Sequence, residues 1–225
     1  AEGLKEKLKF LQKMLSVAPS HKSAEKLRKD IKQKISRYKT LLEKEKQASK
    51  GKGRGLGIKK EGAAQVIILG KTNSGKSFLL SKITNANPLV AEYEHTTKKP
   101  EVGTMEYNGV PIQIIELPAI TENFYEKDKG PMLLSLAREA ELIVILIKEP
   151  KDEKFIKDEL ELAGVNNKIL VINRNENISE IKEDIWKKLK LIYIYTKSPG
   201  KKKDYPPIAL KKGSNIRELA LQVHK

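Results

Sequence analysis

The chain has 225 residues, of which 45 are basic and 29 acidic, and its formal charge is +16. This length allows one α/β domain with its own core and one or two small attachments. The positive charge favours a polyanionic partner, with RNA first and an acidic membrane surface second. Heat-adapted proteins also carry densely charged surfaces without any such partner, so that explanation stays open.

The composition also excludes several classes of site. Cysteine is absent, which rules out disulfides and thiolate metal sites and predicts a protein of the reducing cytoplasm. The three histidines are far apart and show no metal-ligand spacing. The longest apolar run, Leu142–Ile147, is too short to cross a bilayer, and the N-terminal AEGLKEKLKF predicts a polar helix rather than a signal peptide. We expect a soluble protein without stable membrane insertion.

Residues 1–50 predict a basic helical hairpin. Two sets of apolar residues recur at helical spacing, one from Leu4 to Leu15 and one from Ala24 to Leu42, with Pro19 between them. The short connection predicts an antiparallel pair that docks on the main domain, binds RNA or protein, or stays as a solvated charged hairpin. Residues 51–62, rich in Gly, Lys and Arg, predict a flexible basic linker.

Residues 63–190 predict an α/β domain. The segments AQVIILG, LIVILIK and KILVIN are typical of buried strands, and EVGTMEYNGVPIQIIEL predicts a hairpin that turns at Asn108 and Gly109. Helical patterns follow or separate these strands. We therefore expect a mostly parallel sheet with helices on both faces and one antiparallel hairpin.

Residues 191–225 predict two short strands joined by a basic Pro/Gly loop, then a helix capped by Ser214. Such a unit has no partner for its apolar face. It is expected to be part of a small domain whose closing strands are missing from this sequence.

The segment GKTNSGKS, Gly70 to Ser77, matches the phosphate-loop pattern and stands between a buried strand and a helix. Its glycines allow the backbone N–H groups to face phosphates, Lys76 supplies a charge to the β and γ phosphates, and Ser77 offers a hydroxyl to magnesium. The predicted nucleotide-binding residues of this region are Gly70, Lys71, Thr72, Asn73, Ser74, Gly75, Lys76, Ser77 and Phe78.

Three further features complete the predicted pocket. Thr96 or Thr97 can supply the hydroxyl that senses magnesium and the γ-phosphate. Glu116, in ELPA, stands where an aspartate usually holds a magnesium-bound water, and Ala119 stands where glycine is usual. In NRNE, Asn173, Arg174 and Glu176 nearly match the guanine-reading Asn-Lys-x-Asp pattern; the longer Glu176 is expected to weaken guanine preference, and a polar loop without a role in base reading is the alternative.

These motifs in this order resemble the developmentally regulated GTP-binding (DRG) proteins, in the Obg-like branch of P-loop GTPases. The resemblance is carried by GKTNSGKSFLLSKITNAN, AEYEHTT, YNGVPIQIIELPAI, GPMLLSLAREAELIVIL and IWKKLKLIYIYTKSPGKKKDYPPIAL. The last segment is similar to the start of a TGS domain, a small β-grasp module. The chain departs from the family, because the inserted domain before NNKILVINRNE, the Ser-Ala segment that backs the base and the last strands of the TGS module are absent from this sequence. We expect a divergent or reduced member, and the alternative is that this sequence omits segments of the protein.

The resemblance implies GTP or GDP with magnesium, and ribosome or ribosomal RNA association with possible protein contacts through the TGS region. It also implies catalytic roles for Lys76, Thr97 and Asn73, where Asn73 helps seat potassium or merely stabilises the loop. Ser77, Thr97 and Glu116 would hold the metal. We expect a slow cytoplasmic GTPase, and the alternative is an RNA- or ribosome-binding module with an inert pocket. The narrow apolar stripe of the hairpin, which holds almost no aromatic residues, argues against membrane attachment, and the sequence does not predict the oligomeric state.

Overall fold

A computed structural model describes residues 2–21, 24–50, 58–84, 89–90, 100–127 and 129–223. Its centre is a six-stranded sheet in the order β2-β3-β4-β1-β5-β6. The strands are β1 (Gln65–Leu69), β2 (Leu89–Val90), β3 (Glu101–Tyr107), β4 (Val110–Glu116), β5 (Leu142–Ile147) and β6 (Ile169–Asn173). Strands β4, β1, β5 and β6 are parallel, whereas β3 is antiparallel to β4.

The hairpin between β3 and β4 turns at Asn108 and Gly109, as the sequence predicts. Their φ angles are 51° and 80°, and two successive residues with positive φ are the requirement of a tight two-residue hairpin turn. The sequence did not predict β2, a two-residue strand that pairs antiparallel with β3 at the edge of the sheet.

Helices cover both faces of the sheet, as predicted. On one face lie α3 (Lys76–Ile83) and α6 (Ile178–Leu189), and on the other lie α4 (Gly130–Glu139) and α5 (Pro150–Leu162). Strands β1 and β5, which are apolar except for Gln65 at the start of β1, are buried between these layers, because a parallel strand in the middle of the sheet contacts helices on both sides. This arrangement brings the carboxyl ends of β1, β4, β5 and β6 to one edge, where loops carry the candidate site.

The N-terminal residues form α1 (Glu2–Val17) and α2 (Glu25–Lys50), which pack against each other. Arg28 of α2 donates to the carbonyl of Ala18 at 2.6 Å, just after α1 ends. The pair contacts the central domain through Lys7, which pairs with Glu161, and through Arg37, whose Nε lies 2.7 Å from Glu126 Oε1. Residues 51–57 of the predicted linker lie outside the described residues.

The C-terminal residues form β7 (Leu191–Ile194), β8 (Ile208–Lys211) and α7 (Ile216–Val223), with β7 antiparallel to β8. An aromatic row joins β7 to the central domain: Trp186 stacks on Tyr107 with ring centroids 5.1 Å apart and lies 6.0 Å from Tyr193. The predicted cap at Ser214 is wrong by one residue. Asn215 caps α7, because its Oδ1 accepts the N–H of Glu218 at 3.0 Å.

Candidate functional site

The phosphate loop connects β1 to α3 and has the backbone that its glycines require. A Cβ at Gly70 would lie 2.4 Å from Ser74 Oγ and 2.8 Å from the Leu146 carbonyl oxygen, so a side chain is excluded there. Gly75 has a φ of 98° and Asn73 a φ of 59°, both in the left-handed region. The loop therefore curls before α3 begins, and the exposed N-terminus of α3 faces the carboxyl edge of the sheet.

Lys76, Ser77 and Glu116 meet at this curl. The Ser77 hydroxyl donates to Glu116 Oε1 at 2.9 Å, and the Lys76 ammonium donates to the Lys71 carbonyl at 3.1 Å. Glu116 is 8% exposed, and its Oε2 forms no hydrogen bond with the part of the chain that the structure describes. A buried carboxylate oxygen without a donor fits a cation or its bound water, because a buried anionic oxygen is costly when it has no partner.

The surroundings of Glu116 shift the pKa of its carboxyl. Burial raises the pKa of its carboxyl above the ordinary value, and the nearby carboxylate of Glu101 acts in the same direction. The hydrogen bond from Ser77 and the positive charge of Lys76 oppose this shift. A cation at Oε2 would favour the charged form in the same way, so the site is electrostatically suited to binding one.

The side chain of Lys71 points from the loop toward α5. Its Nζ lies 2.9 Å from Asp152 Oδ1 and 4.6 Å from the centroid of the Phe155 ring. The predicted nucleotide-binding role of Lys71 therefore rests on its backbone, since its charge is engaged elsewhere. Sequence reasoning did not single out Asp152: its place after Glu149 and Pro150 is a helix-start signal, but nothing in that signal points to Lys71.

The NRNE segment lies at the end of β6, on the same edge as the phosphate loop. Glu176 folds back on its own loop, where its Oε1 accepts the N–H of Asn173 at 2.7 Å. The side-chain oxygen of Asn173 accepts from the N–H of Asn175 at 3.3 Å. Arg174 is exposed and its backbone continues the ladder with β5. In this arrangement the carboxylate of Glu176 satisfies the backbone of its own turn.

The segment that follows Glu116 leads from the site to the N-terminal helices. After Ile120, a short 3-10 turn at Phe124–Glu126 is held by Glu159 of α5, which accepts the N–H of Asn123 at 2.9 Å. Arg37 of α2 contacts the same turn, because its guanidinium donates a hydrogen bond to Asn123 Oδ1 at 2.7 Å. The sequence did not predict this turn or its contact with α2.

The remaining predicted residues divide into two groups. Thr72, Asn73, Ser77 and Phe78 are exposed around the phosphate loop, and Ser74 is buried with its hydroxyl beside Gly70. Thr96 and Thr97 lie outside the described residues. Among the described residues, no group of three or more His, Cys, Asp or Glu side chains could hold a metal, and no helix has the length and apolar character needed to cross a membrane.

Comparisons with known proteins agree with this arrangement. The family model described as 50S ribosome-binding GTPase matches residues 65–196. The chain is 33% identical over 168 residues to developmentally-regulated GTP-binding protein 2 of Homo sapiens, covering 72% of this chain and 46% of that protein. It is 31% identical over 168 residues to an uncharacterized GTP-binding protein of Halobacterium salinarum, covering 74% and 45%.

A solved structure is also similar. The G domain of the T. maritima FeoB iron transporter matches with a TM-score of 0.42 and 20% identity, over 55% of this chain and 80% of that chain. The chain spans about half the length of the curated relatives it matches. Since the family model covers more than half of the chain, the protein belongs to this family of P-loop GTPases, and its relatives place it with the developmentally regulated GTP-binding proteins.

Proposed function

We propose that the chain binds guanine nucleotide and hydrolyses GTP slowly, in association with ribosomal RNA. The observation that carries the nucleotide part is the meeting of Lys76, Ser77 and Glu116 at the curl of the phosphate loop. A nucleoside triphosphate with its metal ion requires a cation, a hydroxyl and a carboxylate next to a helix N-terminus, and these three residues supply them.

Each residue of the loop has a role in this proposal. The loop N–H groups and the N-terminus of α3 bind phosphate oxygens, and the Lys76 ammonium leaves the Lys71 carbonyl to contact the β and γ phosphates. Asn73, Arg174 and Asn173 lie exposed around the same edge. Asn173 contacts the base, with Arg174 packed over it.

Magnesium fits the donor set of Ser77 and Glu116, because hydroxyl and carboxylate oxygens are the ligands it takes in nucleotide sites. The ion would neutralise charge that develops on the phosphates. Ser77 would coordinate directly, and Glu116 would hold a bound water through Oε2, which has no hydrogen-bond partner among the described residues. Thr97 would complete the proposed set. Potassium at Asn73 is proposed as an accelerator, since the segment from 116 to 130 contains no glutamine that would orient a water.

The polyanion part rests on charge distribution. Residues 63–190 contain 18 basic and 20 acidic side chains, so the excess of positive charge lies in the flanking segments. On α2, a groove is lined by Arg28, Lys29 and Lys32. Basic surfaces of this kind fit the phosphate backbone of RNA. The description of the family model that matches this chain, 50S ribosome-binding GTPase, supports the ribosome as the source of that RNA. The compartment that we propose is the cytoplasm.

The C-terminal unit is proposed as the start of a TGS module that contacts RNA or a protein cofactor. Its α7 has no buried residue among those described, and Ile216 and Leu221 are 84% and 63% exposed. An amphipathic helix with its apolar side chains exposed is suited to a further packing partner.

The test is titration of the full chain with fluorescent GTP, GDP and ATP analogues in magnesium, in potassium and separately in sodium, followed by GTP turnover. We expect micromolar affinity for the two guanine nucleotides, weaker ATP binding, and slow turnover that rises with potassium. Equal affinity for all three nucleotides would remove guanine recognition from the proposal, and absence of binding would overturn it.

A second candidate function is an RNA-binding module with an inert pocket. It is favoured by one observation, the Glu176 carboxylate folded onto the Asn173 N–H. Nucleotide binding without turnover, measured with and without ribosomes and alongside salt-sensitive RNA binding, would favour this candidate. Turnover that rises with ribosomes or potassium would reject it.

A further inference from the structure

The phosphate loop is tied to α5 by one ion pair with a mostly buried carboxylate. Lys71 Nζ lies 2.9 Å from Asp152 Oδ1, and the Asp152 side chain is 7% exposed whereas that of Lys71 is 36% exposed. The Lys71 ammonium also lies over the Phe155 ring, with Nζ 4.6 Å from its centroid. The ammonium is therefore held by charge on one side and by an aromatic face on the other.

Asp152 itself is fixed by the backbone at the end of β5. Its second oxygen, Oδ2, accepts the N–H of Glu149 at 3.0 Å and that of Lys148 at 3.2 Å. The ion pair with Lys71 and these hydrogen bonds lower the pKa of Asp152, so the carboxylate stays charged near neutral pH. Lys71 thus pairs with a carboxylate that is immobilised by the start of α5.

The backbone of Lys71 also binds two residues farther along the loop. Its carbonyl oxygen accepts from the Lys76 ammonium at 3.1 Å and from the Ser74 N–H at 3.3 Å. The same residue therefore reaches α5 with its side chain and holds Lys76 and Ser74 with its backbone. A shift of Lys71 would therefore move the position that the Lys76 ammonium occupies before nucleotide binds.

We propose that Asp152 is a positioning residue for the phosphate site, which acts through Lys71 to set the backbone of the loop and the position from which Lys76 moves to the phosphates. This inference rests on the proposed nucleotide function. Asp152 does not contact the phosphates; it fixes the loop before nucleotide arrives, so that less ordering is needed on binding. Lys71 in this role is a tether, and its charge is not a phosphate ligand.

The experiment compares GDP affinity, measured with a fluorescent GDP analogue in magnesium, across variants of the full chain. Lys71→Met keeps an unbranched stem and removes the charge, whereas Asp152→Asn keeps an acceptor for the N–H groups at 148 and 149. Lys71→Arg preserves a cation that pairs with a carboxylate. The matched control is Lys151→Met, which breaks the neighbouring exposed pair with Glu149 without touching the loop.

We expect Lys71→Met and Asp152→Asn each to weaken GDP binding about fivefold. The double variant should be no weaker than the worse single one, because both remove the same contact. Lys71→Arg should restore most of the affinity, and Lys151→Met should bind as the native chain does. Thermal unfolding of each variant separates lost affinity from lost folding.

Three results would overturn the inference while native binding stands: unchanged affinity in Lys71→Met, additive losses in the double variant, or an arginine variant as weak as the methionine one. A native chain that binds no GDP would overturn the proposed function and this inference with it. The two failures are therefore distinguished by the native titration alone.

Discussion

The central segment of the chain and the segments that flank it differ in charge and in burial. Residues 63–190 have 18 basic and 20 acidic side chains, whereas residues 1–50 have 15 and 6, and residues 191–225 have 8 and 2. Nearly all of the buried apolar core lies in the central segment, on the two faces of the sheet. A phosphate loop at the edge of a sheet suits a small anionic ligand, and an exposed basic surface suits an extended one. For the proposed function, this difference predicts that nucleotide and polyanion bind in separate regions.

The largest effect that tests whether the two ligands bind in separate regions is expected at Lys76. Replacing Lys76 with alanine removes the charge that faces the phosphates, so GDP affinity should fall by about 100-fold. RNA affinity should stay close to native, because the flanking segments keep their charge. Both are measured by fluorescence titration of the same preparation. Equal losses of GDP and RNA affinity would contradict separate sites.

The reciprocal change is made on α2. Replacing Lys29 and Lys32 with glutamate reverses charge in the basic groove, and RNA affinity should fall by roughly tenfold with a shallower salt dependence. GDP affinity should not change. The control replaces Lys154 and Lys168 with glutamate, since both are exposed in the central segment and give the same change in net charge. An equal loss of RNA affinity in the control would mean that net charge alone drives binding.

A smaller effect is expected at Glu176. Replacing it with aspartate shortens the side chain, which weakens its hydrogen bond to the Asn173 N–H and returns the carboxylate to the length that guanine recognition usually employs. The preference for GDP over ADP should rise by about tenfold. Glu180→Asp, an exposed change in the first turn of α6, is the control. An unchanged preference would assign Glu176 to the turn rather than to the base.

Glu116 should show opposite effects on stability and on binding. Burial is the main cause that raises the pKa of the Glu116 carboxyl in the folded chain. The stability that the protonated carboxyl contributes is therefore fully present below the pKa that this group has in the unfolded chain, and it is lost as pH rises through its folded pKa. Replacing Glu116 with glutamine keeps an acceptor for Ser77 and removes the buried charge. The nucleotide-free variant should therefore unfold at a higher temperature at pH 7, measured by calorimetry, while magnesium-dependent GDP binding weakens. A lower unfolding temperature would contradict the effect of burial.

Most of the central fold follows from the sequence, because its signals are local. Long apolar runs predict the buried strands, and Asn108 with Gly109 predicts the hairpin turn. The failures have two causes. β2 has two residues and forms only by pairing with β3, whereas the cap of α7 was misplaced because Ser214 and Asn215 are adjacent and both residue types are good caps.

The candidate site was only partly predictable because it also depends on contacts between residues that are distant in the chain. The phosphate-loop pattern predicts the approach of Ser77 to Glu116, since both motifs follow strands that end at the same edge. The pair of Lys71 with Asp152 joins residues 81 positions apart, and no local signal connects them. Likewise, the contact of Arg37 with the turn after Glu116 depends on how α2 lies on the domain.

The smallest predicted effect is the change in amide hydrogen exchange when Arg37 is replaced. It bears most directly on the comparison of the two regions, because Arg37 connects the basic helices to the central segment. Its guanidinium contacts Glu126 and Asn123, each at 2.7 Å. Arg37→Ala should speed hydrogen exchange of the neighbouring α2 amides about two- to threefold, since partly exposed ion pairs contribute less than about 1 kcal/mol. Lys39→Ala is the control, as an exposed neighbour on the same helix.

The exchange measurement also tests whether the two regions communicate. The turn that Arg37 contacts also donates a hydrogen bond, from the Asn123 N–H, to Glu159 of α5, the helix whose first turn carries Asp152. If the helices rest on the domain through this turn, Arg37→Ala should loosen α2 and also speed exchange at residues 123–126. Faster exchange in α2 alone would mean that the helices dock independently of the turn. Unchanged exchange in both would mean that α1 and α2 are held by their other contacts, chiefly the pair of Lys7 with Glu161.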